Sequence, residues 1–435
     1  MKRLQKPDSA SEAGAESRWS GKNGGALKAL RVRGPFKGMT GYDHVVRAMV
    51  RGLHARGVRI QLIDFPGWSP ALLPEALRDP WFDSLSQPVS PDAVLHVCMP
   101  HQARRARGVR NVNLTMFEAS RVPEAWVKKN LRDDLVVVPT KSSVRVWVSG
   151  GYPRERIRNC PLGVDTEAFR PGLPPLDLDD GRGGRVGDHR VRFLNVSDLT
   201  PRKNLRGLVR TWLLATVRKD DAVLVLKLSC GSEALLTRFM QDLARMERDM
   251  GKTLNDAAPV VFLINRTFPD FEMPRLYASA THYWSLSRGE GWDLPMLEAA
   301  ATGLELIAPA HSAYLDYLDE HVARLIPVRT VRADAREDRG LQAYFAGAEW
   351  WEPDEDDAAS RISKAVGERG LDRGNAAREL VEARYTLQQA ADRLLHILNE
   401  CMDLPRLNRG VSRASRMWRL RPFSRRTGNA RKSPS

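Results

Sequence analysis

Two glutamates, Glu290 and Glu298, lie eight residues apart around a glycine-rich turn, and their spacing suggests chemistry more directly than any other pair in the chain. The turn, Ser287-Arg-Gly-Glu-Gly-Trp-Asp293, leads to Pro295, a typical first-turn residue of a helix. The start of a helix presents unpaired N–H groups and partial positive charge, so it can bind a diphosphate. A carboxylate one turn further can accept hydrogen bonds from vicinal hydroxyls. The segment therefore predicts a site for a phosphorylated sugar.

A simpler interpretation of the same residues is also open. Asp293 would be a helix N-cap, and both glutamates would be solvated. The flanking pattern places the turn, because the apolar run 281–286 predicts a strand and a helical periodicity follows it. Ligands of open α/β sheets bind at the carboxyl ends of strands. The residues that define the helical periodicity are Leu294, Leu297, Ala301 and Leu304.

A second segment upstream has the same strand, turn and helix order. It reads Phe193-Leu-Asn-Val-Ser-Asp-Leu-Thr-Pro-Arg-Lys-Asn-Leu205. Together with residues 287–309 it resembles the GT4-type family of GT-B glycosyltransferases, in which a Glu-x7-Glu pair is followed by a proline-containing helix and a buried strand. A third segment, Gly163-Val-Asp165, resembles the end of the first domain in those enzymes. The resemblance implies two Rossmann-like domains that face a cleft.

The resemblance also implies roles for particular residues. Lys203, with Arg202, grips the diphosphate of a nucleotide sugar, and this sugar nucleotide is a substrate, so no separate cofactor is expected. Glu290 holds sugar hydroxyls, and Glu298 holds the ribose of the nucleotide. The residues expected to contact the donor are Gly41, Glu290, Gly291, Trp292, Leu294 and Glu298.

One position departs from the family pattern. Many members have Gly-Arg where this chain has Ser197-Asp198, so the usual first arginine of the diphosphate clamp is absent. An acidic side chain beside a diphosphate repels it, unless that side chain points away or caps the following turn. We expect Arg202 to take over the role, since it is adjacent to Lys203 on the same loop.

The first half of the chain supplies candidates for the acceptor side. The turn 38–42 is rich in glycine, which allows the backbone to approach a donor closely. Glu118 follows a predicted strand in a Glu-x-Ser-Arg-x-Pro context, where many relatives have histidine. It would orient the acceptor hydroxyl or the donor sugar, or else pair with Arg121. His44 and His101 are weaker candidates, because a lone histidine is more often structural.

The alternation of strand and helix patterns predicts an α/β chain with two doubly wound parallel sheets. Strands are expected over 29–32, 58–64, 93–98, 112–115 and 135–139 in the first sheet. The second sheet is expected to contain 191–196, 223–229, 260–264, 281–285 and 304–309. The predicted organisation is a disordered N-terminus (1–25), an acceptor-side domain (26–170), a Pro/Gly/Asp-rich linker (171–190), a nucleotide-sugar-binding domain with terminal helices that cross back over the first domain (191–402), and a basic tail (403–435).

The net charge of +15 is concentrated in the tail, where residues 404–435 contain ten Arg or Lys and no Asp or Glu. Apolar residues recur there at helical spacing, so the tail is either a basic amphipathic helix on an anionic membrane or a disordered segment. No nucleic-acid recognition motif accompanies the charge, so nucleic-acid binding is not expected.

Other features narrow the class of protein. The chain has 435 residues, and neither a long apolar run nor an apolar N-terminal segment is present, so we expect a cytoplasmic protein, peripheral at the membrane at most. Four dispersed cysteines predict buried free thiols and no zinc site. The acidic cluster 352–357 predicts a solvated turn before a helix. No Asp-x-Asp pair is arranged as a metal site.

The motifs therefore predict a glycosyltransferase that moves a hexose-type sugar from a nucleoside-diphosphate sugar to a saccharide or lipid-linked acceptor. The resemblance implies retention of anomeric configuration and no metal requirement. The alternative is a catalytically degenerate scaffold of the same shape, with a tail for membrane or partner binding. An epimerase or phosphorylase would share the shape, but we find no pyridoxal-binding lysine context. A Rossmann dehydrogenase would need a Gly-x-Gly-x-x-Gly after the first strand, which is missing.

Overall fold

A computed structural model describes most of the chain, with gaps at three short internal segments and at both ends. The predictions made for residues 1–25 and for the tail beyond residue 405 therefore concern residues outside the described part. The described ranges are 26–69, 72–335, 339–368 and 373–405.

The first sheet has six parallel strands in the order β2-β1-β3-β4-β5-β6. Strands β3, β4 and β5 are buried along their whole length, and β3 and β5 are rich in Val and Leu, as parallel sheets covered by helices require. The strands are β1 (Ala29–Arg33), β2 (Arg59–Ile63), β3 (Ala93–Val97), β4 (Arg110–Leu114), β5 (Leu135–Val138) and β6 (Ile157–Asn159). The helices are α1 (Gly41–Ala55), α2 (Pro80–Ser84), α3 (Glu124–Asn130) and α4 (Lys141–Ser149).

The second sheet also has six parallel strands, in the order β12-β11-β10-β7-β8-β9. The strands are β7 (Val191–Asp198), β8 (Ala222–Ser229), β9 (Val260–Ile264), β10 (His282–Trp284), β11 (Glu305–Pro309) and β12 (Ala323–Ile326). The helices are α5 (Leu205–Ala215), α6 (Glu233–Met250), α7 (Met273–Ala278), α8 (Leu294–Thr302) and α9 (Tyr314–Tyr317). Two such sheets with alternating helices confirm the predicted fold class.

An unpredicted insertion follows β12. It is an antiparallel hairpin whose strands β13 (Val328–Arg332) and β14 (Glu349–Pro353) are joined through helix α10 (Arg339–Phe345). Its apolar side chains pack on aromatic residues of the first domain: Phe345 stacks on Phe117 with centroids 5.3 Å apart. The insertion therefore joins the second domain to the first.

Three terminal helices complete the chain: α11 (Glu355–Gly367), α12 (Arg373–Arg384) and α13 (Leu387–Asp403). Helix α13 crosses back to the first domain, as the family resemblance implies. A Cβ placed on Gly52 of α1 would lie only 2.5 Å from the Cβ of Ala391, which shows how closely α1 and α13 pack. None of the helices in the described ranges combines the length and apolarity needed to cross a bilayer.

Two local predictions need correction. Glu352 and Glu355 are not simply solvated, because they form ion pairs with Arg288 (2.6 Å) and Arg210 (2.5 Å). The turn itself does precede a helix, since the side chain of Asp354 caps α11. Of the four free cysteines, three are buried and Cys230 is partly exposed.

Candidate functional site

A cleft of about 650 Å³ lies between the carboxyl ends of the two sheets. The first domain contributes the loop after β1, the start of α1 and the loop after β4. The second domain contributes the loops after β7 and β10, the end of β8 and the start of α8. Nearly all of the site residues predicted from sequence line this cleft: Gly41, Glu118, Arg202, Lys203, Glu290, Gly291, Trp292, Leu294 and Glu298.

Glu290 lies at the centre of a buried charge cluster. Its Oε1 is 2.7 Å from Nζ of Lys203, and its Oε2 is 2.9 Å from a guanidinium nitrogen of Arg202. Burial alone would raise the pKa of Glu290, but the two cations outweigh burial and lower that pKa to about 2. The glutamate is 5% exposed, so the interpretation of Glu290 as a solvated residue is wrong.

Asp293 precedes α8 in the left-handed conformation, with φ of 72°, and its side chain does not cap the helix. Its Oδ2 accepts a hydrogen bond from the Tyr314 hydroxyl at 2.7 Å, while Oδ1 lacks a hydrogen-bond partner and lies 3.9 Å from Nζ of Lys203. Burial raises the pKa of Asp293 to about 6. Asp293 therefore occupies the N-cap position, as the simpler interpretation predicted, but its carboxylate bonds none of the first N–H groups of α8.

Glu298 is partly buried in the wall of the cleft, one turn into α8. The hydroxyl of Tyr277 donates to its Oε2 at 2.6 Å. Burial raises the pKa of Glu298 to about 7 in spite of that hydrogen bond. The other carboxylate oxygen remains available to a ligand in the cleft, which is the geometry that recognition of a hydroxyl requires.

The glycines of the 287–293 turn allow the two domains to touch. A Cβ on Gly289 would lie 2.5 Å from the carbonyl oxygen of Glu118, and one on Gly291 would lie 2.8 Å from Cβ of Met116. Residues at both positions must therefore lack a side chain. This close approach places Glu118 beside Arg202, and burial raises the pKa of Glu118 while Arg202 opposes the rise.

The alternative pairing of Glu118 with Arg121 has no support in the geometry. Arg121 is exposed, whereas the Glu118 side chain lines the cleft. The backbone carbonyl of Glu118 accepts a hydrogen bond from Nε1 of Trp350 at 3.1 Å, and Ser120 exchanges two hydrogen bonds with Glu349. The hairpin thus fixes the loop that carries Glu118.

The glycine-rich loop after β1 is organised by Asp43, a residue that the sequence analysis did not single out. Its buried carboxylate accepts hydrogen bonds from the backbone N–H groups of Gly38 (2.7 Å) and Thr40 (3.0 Å) and from the Ser69 hydroxyl (2.6 Å). Because Thr40 also caps α1, the capping box fixes where the helix begins. Gly41 is exposed and has open space around it, so a ligand can approach its backbone.

The remaining candidates divide by position. His44 lines the cleft, where burial and Arg47 lower its pKa to about 4, so it is neutral near pH 7. His101 instead stacks on Trp126 and Tyr344 outside the residues that line the cleft. The indole of Trp292 is buried against Tyr317 and Tyr385, so only its backbone can reach a ligand.

Lys227 is a cleft residue that the sequence analysis missed. It lies on β8, next to Val196 of β7, and its Nζ donates to Ser229 Oγ at 2.9 Å. Burial lowers the pKa of Lys227, and the nearby Asp198 opposes that effect. The signal was present in the sequence, since Lys227 is the only charged residue in the strand Ala222–Ser229.

No known family profile matches the sequence, and no curated protein is significantly similar to it. Solved structures do match. Anabaena HepE, in complex with UDP and glucose, is 12% identical, with a TM-score of 0.58 over 86% of this chain and 100% of that one. A glycosyltransferase from Rickettsia africae is 13% identical (TM-score 0.58; 87% and 99% covered). Sucrose-phosphate synthase from Thermosynechococcus elongatus is 14% identical (TM-score 0.59; 86% and 99% covered). The chain therefore has the GT-B fold, as its two facing parallel sheets predict.

Proposed function

We propose that this protein transfers a hexose-type sugar from a nucleoside-diphosphate sugar to a saccharide or lipid-linked acceptor. The observation that carries the proposal is that one cleft brings together Lys203, Arg202, Glu290 and Glu298 around the start of α8. Cations and helix N–H groups suit the diphosphate, and carboxylates suit the hydroxyls of the sugar and the ribose. The GT-B fold supports the same proposal by analogy.

In the proposed reaction the bond between the anomeric carbon and the leaving phosphate oxygen breaks. A bond forms from that carbon to the acceptor oxygen, and the acceptor proton passes to the leaving phosphate. Negative charge grows on the diphosphate, so fixed positive charge around it lowers the barrier. Arg202, Lys203 and the N–H groups before α8 supply that charge, and we propose that the transfer retains configuration and requires no metal ion.

The carboxylates have separate roles in this proposal. Glu290 accepts hydrogen bonds from sugar hydroxyls, and Glu298 accepts them from the ribose. Glu118, on the facing domain, orients the acceptor hydroxyl or the donor sugar. Burial raises the pKa of Glu118 above its ordinary value.

A specific observation favours a second candidate, the catalytically degenerate scaffold. Glu290 already forms ion pairs with both clamp cations, and Asp198 adds a negative charge where many relatives have arginine. In this alternative the cleft binds no donor, and the basic tail tethers the protein to an anionic membrane or a partner.

One assay separates the two candidates. Release of nucleoside diphosphate is measured with UDP-, GDP- and ADP-sugars and a panel of saccharide and lipid-linked acceptors. UDP-sugars come first because HepE was solved with UDP and glucose. The transferase predicts release with one donor class and a higher melting temperature with the matching diphosphate. No release with any donor, together with no thermal shift, would favour the scaffold.

The proposed membrane association is tested separately. Full-length protein and a variant that ends at residue 405 are mixed with vesicles of neutral or anionic lipid. Binding of the full chain to anionic vesicles alone, at low salt, supports the tail as the attachment. Equal sedimentation of both proteins contradicts it.

A further inference from the structure

The two cations assigned to the diphosphate are already engaged inside the protein. Lys203 and Arg202 both pair with Glu290, and Arg202 also donates to the carbonyl oxygen of Gly289. These bonds hold the loop after β7 against the loop after β10. A diphosphate must therefore compete with Glu290 for these two side chains, and a further positive charge without a carboxylate partner would add to the attraction.

Lys227 supplies such a charge. Among the described residues, no carboxylate lies within ion-pair distance of its ammonium group, which has the Ser229 hydroxyl as a neutral partner at 2.9 Å. Lys227 is partly buried, and burial without a carboxylate in ion-pair contact disfavours its charged form. A perturbed cation that lines a cleft is a candidate for binding a ligand of opposite charge.

The strand register places Lys227 close to Asp198, the residue that stands where many members of the family have arginine. Val196 of β7 is paired with Lys227 of β8, and Asp198 is paired with Ser229. Adjacent strands are about 4.8 Å apart, and residues two apart on a strand share a face. The long side chain of Lys227 runs along β8 to Ser229, so its ammonium group lies at the level of Asp198, at the carboxyl edge of the sheet.

The rest of the cleft wall completes this arrangement. In the sheet, β7 lies between β10 and β8. The start of α8 is on the β10 side of β7, together with Arg202 and Lys203, which pair with Glu290. Lys227 is on the β8 side. On the facing domain, His44 lines the same cleft as Lys227.

We propose that Lys227 is a diphosphate-binding cation of this cleft, which supplies from β8 the positive charge that an arginine at position 198 would supply from β7. This inference rests on the proposed function, because it needs a nucleotide ligand. It differs from the expectation that Arg202 takes over, since Arg202 is held by Glu290 and by the backbone of Gly289.

The test measures binding of UDP, GDP and ADP, and of the matching nucleosides, to the full-length protein by calorimetry. The variants are Lys227→Met, which keeps the length of the side chain without its charge, and Lys227→Arg, which keeps the charge. Lys128→Met is the matched control, because Lys128 is an exposed surface lysine in an i,i+4 pair with Glu124. Melting temperatures confirm that each variant is folded.

The proposal predicts that Lys227→Met weakens binding of the preferred diphosphate by about 10- to 100-fold, the range for loss of a charge-assisted hydrogen bond. Its affinity for the nucleoside stays within about twofold of that of the wild type, and Lys227→Arg and Lys128→Met keep most of the diphosphate affinity. Diphosphate binding by Lys227→Met equal to wild type overturns the inference and leaves the proposed function standing. An equal loss of nucleoside and diphosphate also overturns it, because Lys227 would then only shape the pocket. If the wild-type protein binds no diphosphate, the proposed function itself fails.

Discussion

Nζ of Lys203 lies 2.7 Å from Oε1 of Glu290, in an ion pair that joins the loop after β7 to the loop after β10. Both side chains are largely buried, at 12% and 5% exposure. Removal of one member of such a buried ion pair destabilises the folded protein, because the remaining charge is left buried without its partner. The pair therefore has two functions to test, since it shapes the turn and also holds a cation for the proposed diphosphate.

Replacing Lys203 with alanine should lower transfer by at least about 100-fold, the range measured when one charge-stabilising donor is removed from an active site. The protein should still fold, because Arg202 continues to pair with Glu290. Steady-state release of nucleoside diphosphate and a melting curve measure the two effects. Near-normal turnover would rule out Lys203 as part of the phosphate clamp. Lys128→Met is again the control.

Replacing Gly289 with alanine should lower both stability and activity. The new Cβ would lie 2.5 Å from the carbonyl oxygen of Glu118, so the two domains would have to separate locally. Gly187→Ala is the matched control, since a Cβ there has no neighbour within 4 Å. A melting temperature of Gly289→Ala equal to that of the control would show that the domains do not touch at this point.

Replacing Glu298 with glutamine should change how stability depends on pH. In the folded protein the pKa of Glu298 is raised from 4.5 to about 7. The folded state therefore binds this proton more tightly, and the stabilisation is fully present below pH 4.5 and lost as the pH rises towards 7. Glutamine stays neutral and still accepts the Tyr277 hydrogen bond.

The melting temperature of Glu298→Gln, relative to that of the wild type, should consequently increase between pH 4.5 and 7. Asp293, with a pKa of about 6, titrates in both proteins, so its effect cancels when the melting temperature of the variant is compared with that of the wild type. Parallel melting curves across this range would mean that the pKa of Glu298 is not raised.

Removing divalent metal ions should leave transfer unchanged. Arg202, Lys203 and Lys227 line the cleft, and in the proposed function they supply fixed positive charge to the diphosphate. The described residues contain no group of three His, Cys, Asp or Glu side chains placed to bind a metal ion. Nucleoside diphosphate release is compared in EDTA and in excess magnesium or manganese. Loss of activity in EDTA that either ion restores would contradict the prediction.

Replacing Trp350 should separate packing from hydrogen bonding at the hairpin. Trp350→Ala leaves a cavity and should destabilise the protein by about 3–5 kcal/mol, as for other buried tryptophans. Trp350→Phe keeps most of the packing and loses the bond to the Glu118 carbonyl, so about 0.5–1.5 kcal/mol is expected. Denaturant unfolding measures both. Equal losses would mean that the packing against Phe345 contributes nothing.

The sheets could be predicted from sequence because their strands are long apolar runs between turn residues. Strand β9, Val260–Ile264, was predicted to the residue. Strands β6 and β12 were missed, since each contains an arginine and carries no apolar periodicity of its own. The hairpin was missed because its two strands are separated by charged residues and α10 instead of a short turn signal.

The sequence predicted residues that line one cleft, but it did not predict the contacts among them. The order of the motifs locates Glu290 and Lys203 in the chain, whereas their pairing depends on the distance between two loops in the folded protein. The sequence likewise does not show why residue 289 must be glycine, because the atom that leaves no room for a Cβ is the carbonyl oxygen of Glu118 in the other domain. Lys227 could have been found from the sequence, because it lies two residues before Ser229, at the end of a predicted strand, and residues two apart on a strand lie on the same face of the sheet.

The hairpin has a mechanical consequence for the cleft. Because Trp350 and Glu349 bind residues 118–120, that loop is fastened to the second domain although it belongs to the first. If the two domains rotate relative to each other without breaking these bonds, the rotation axis must lie close to the hairpin. The distance between Glu118 and Glu290 would then hardly change, while cleft residues further from the hairpin, such as His44 and Asp270, would move apart more.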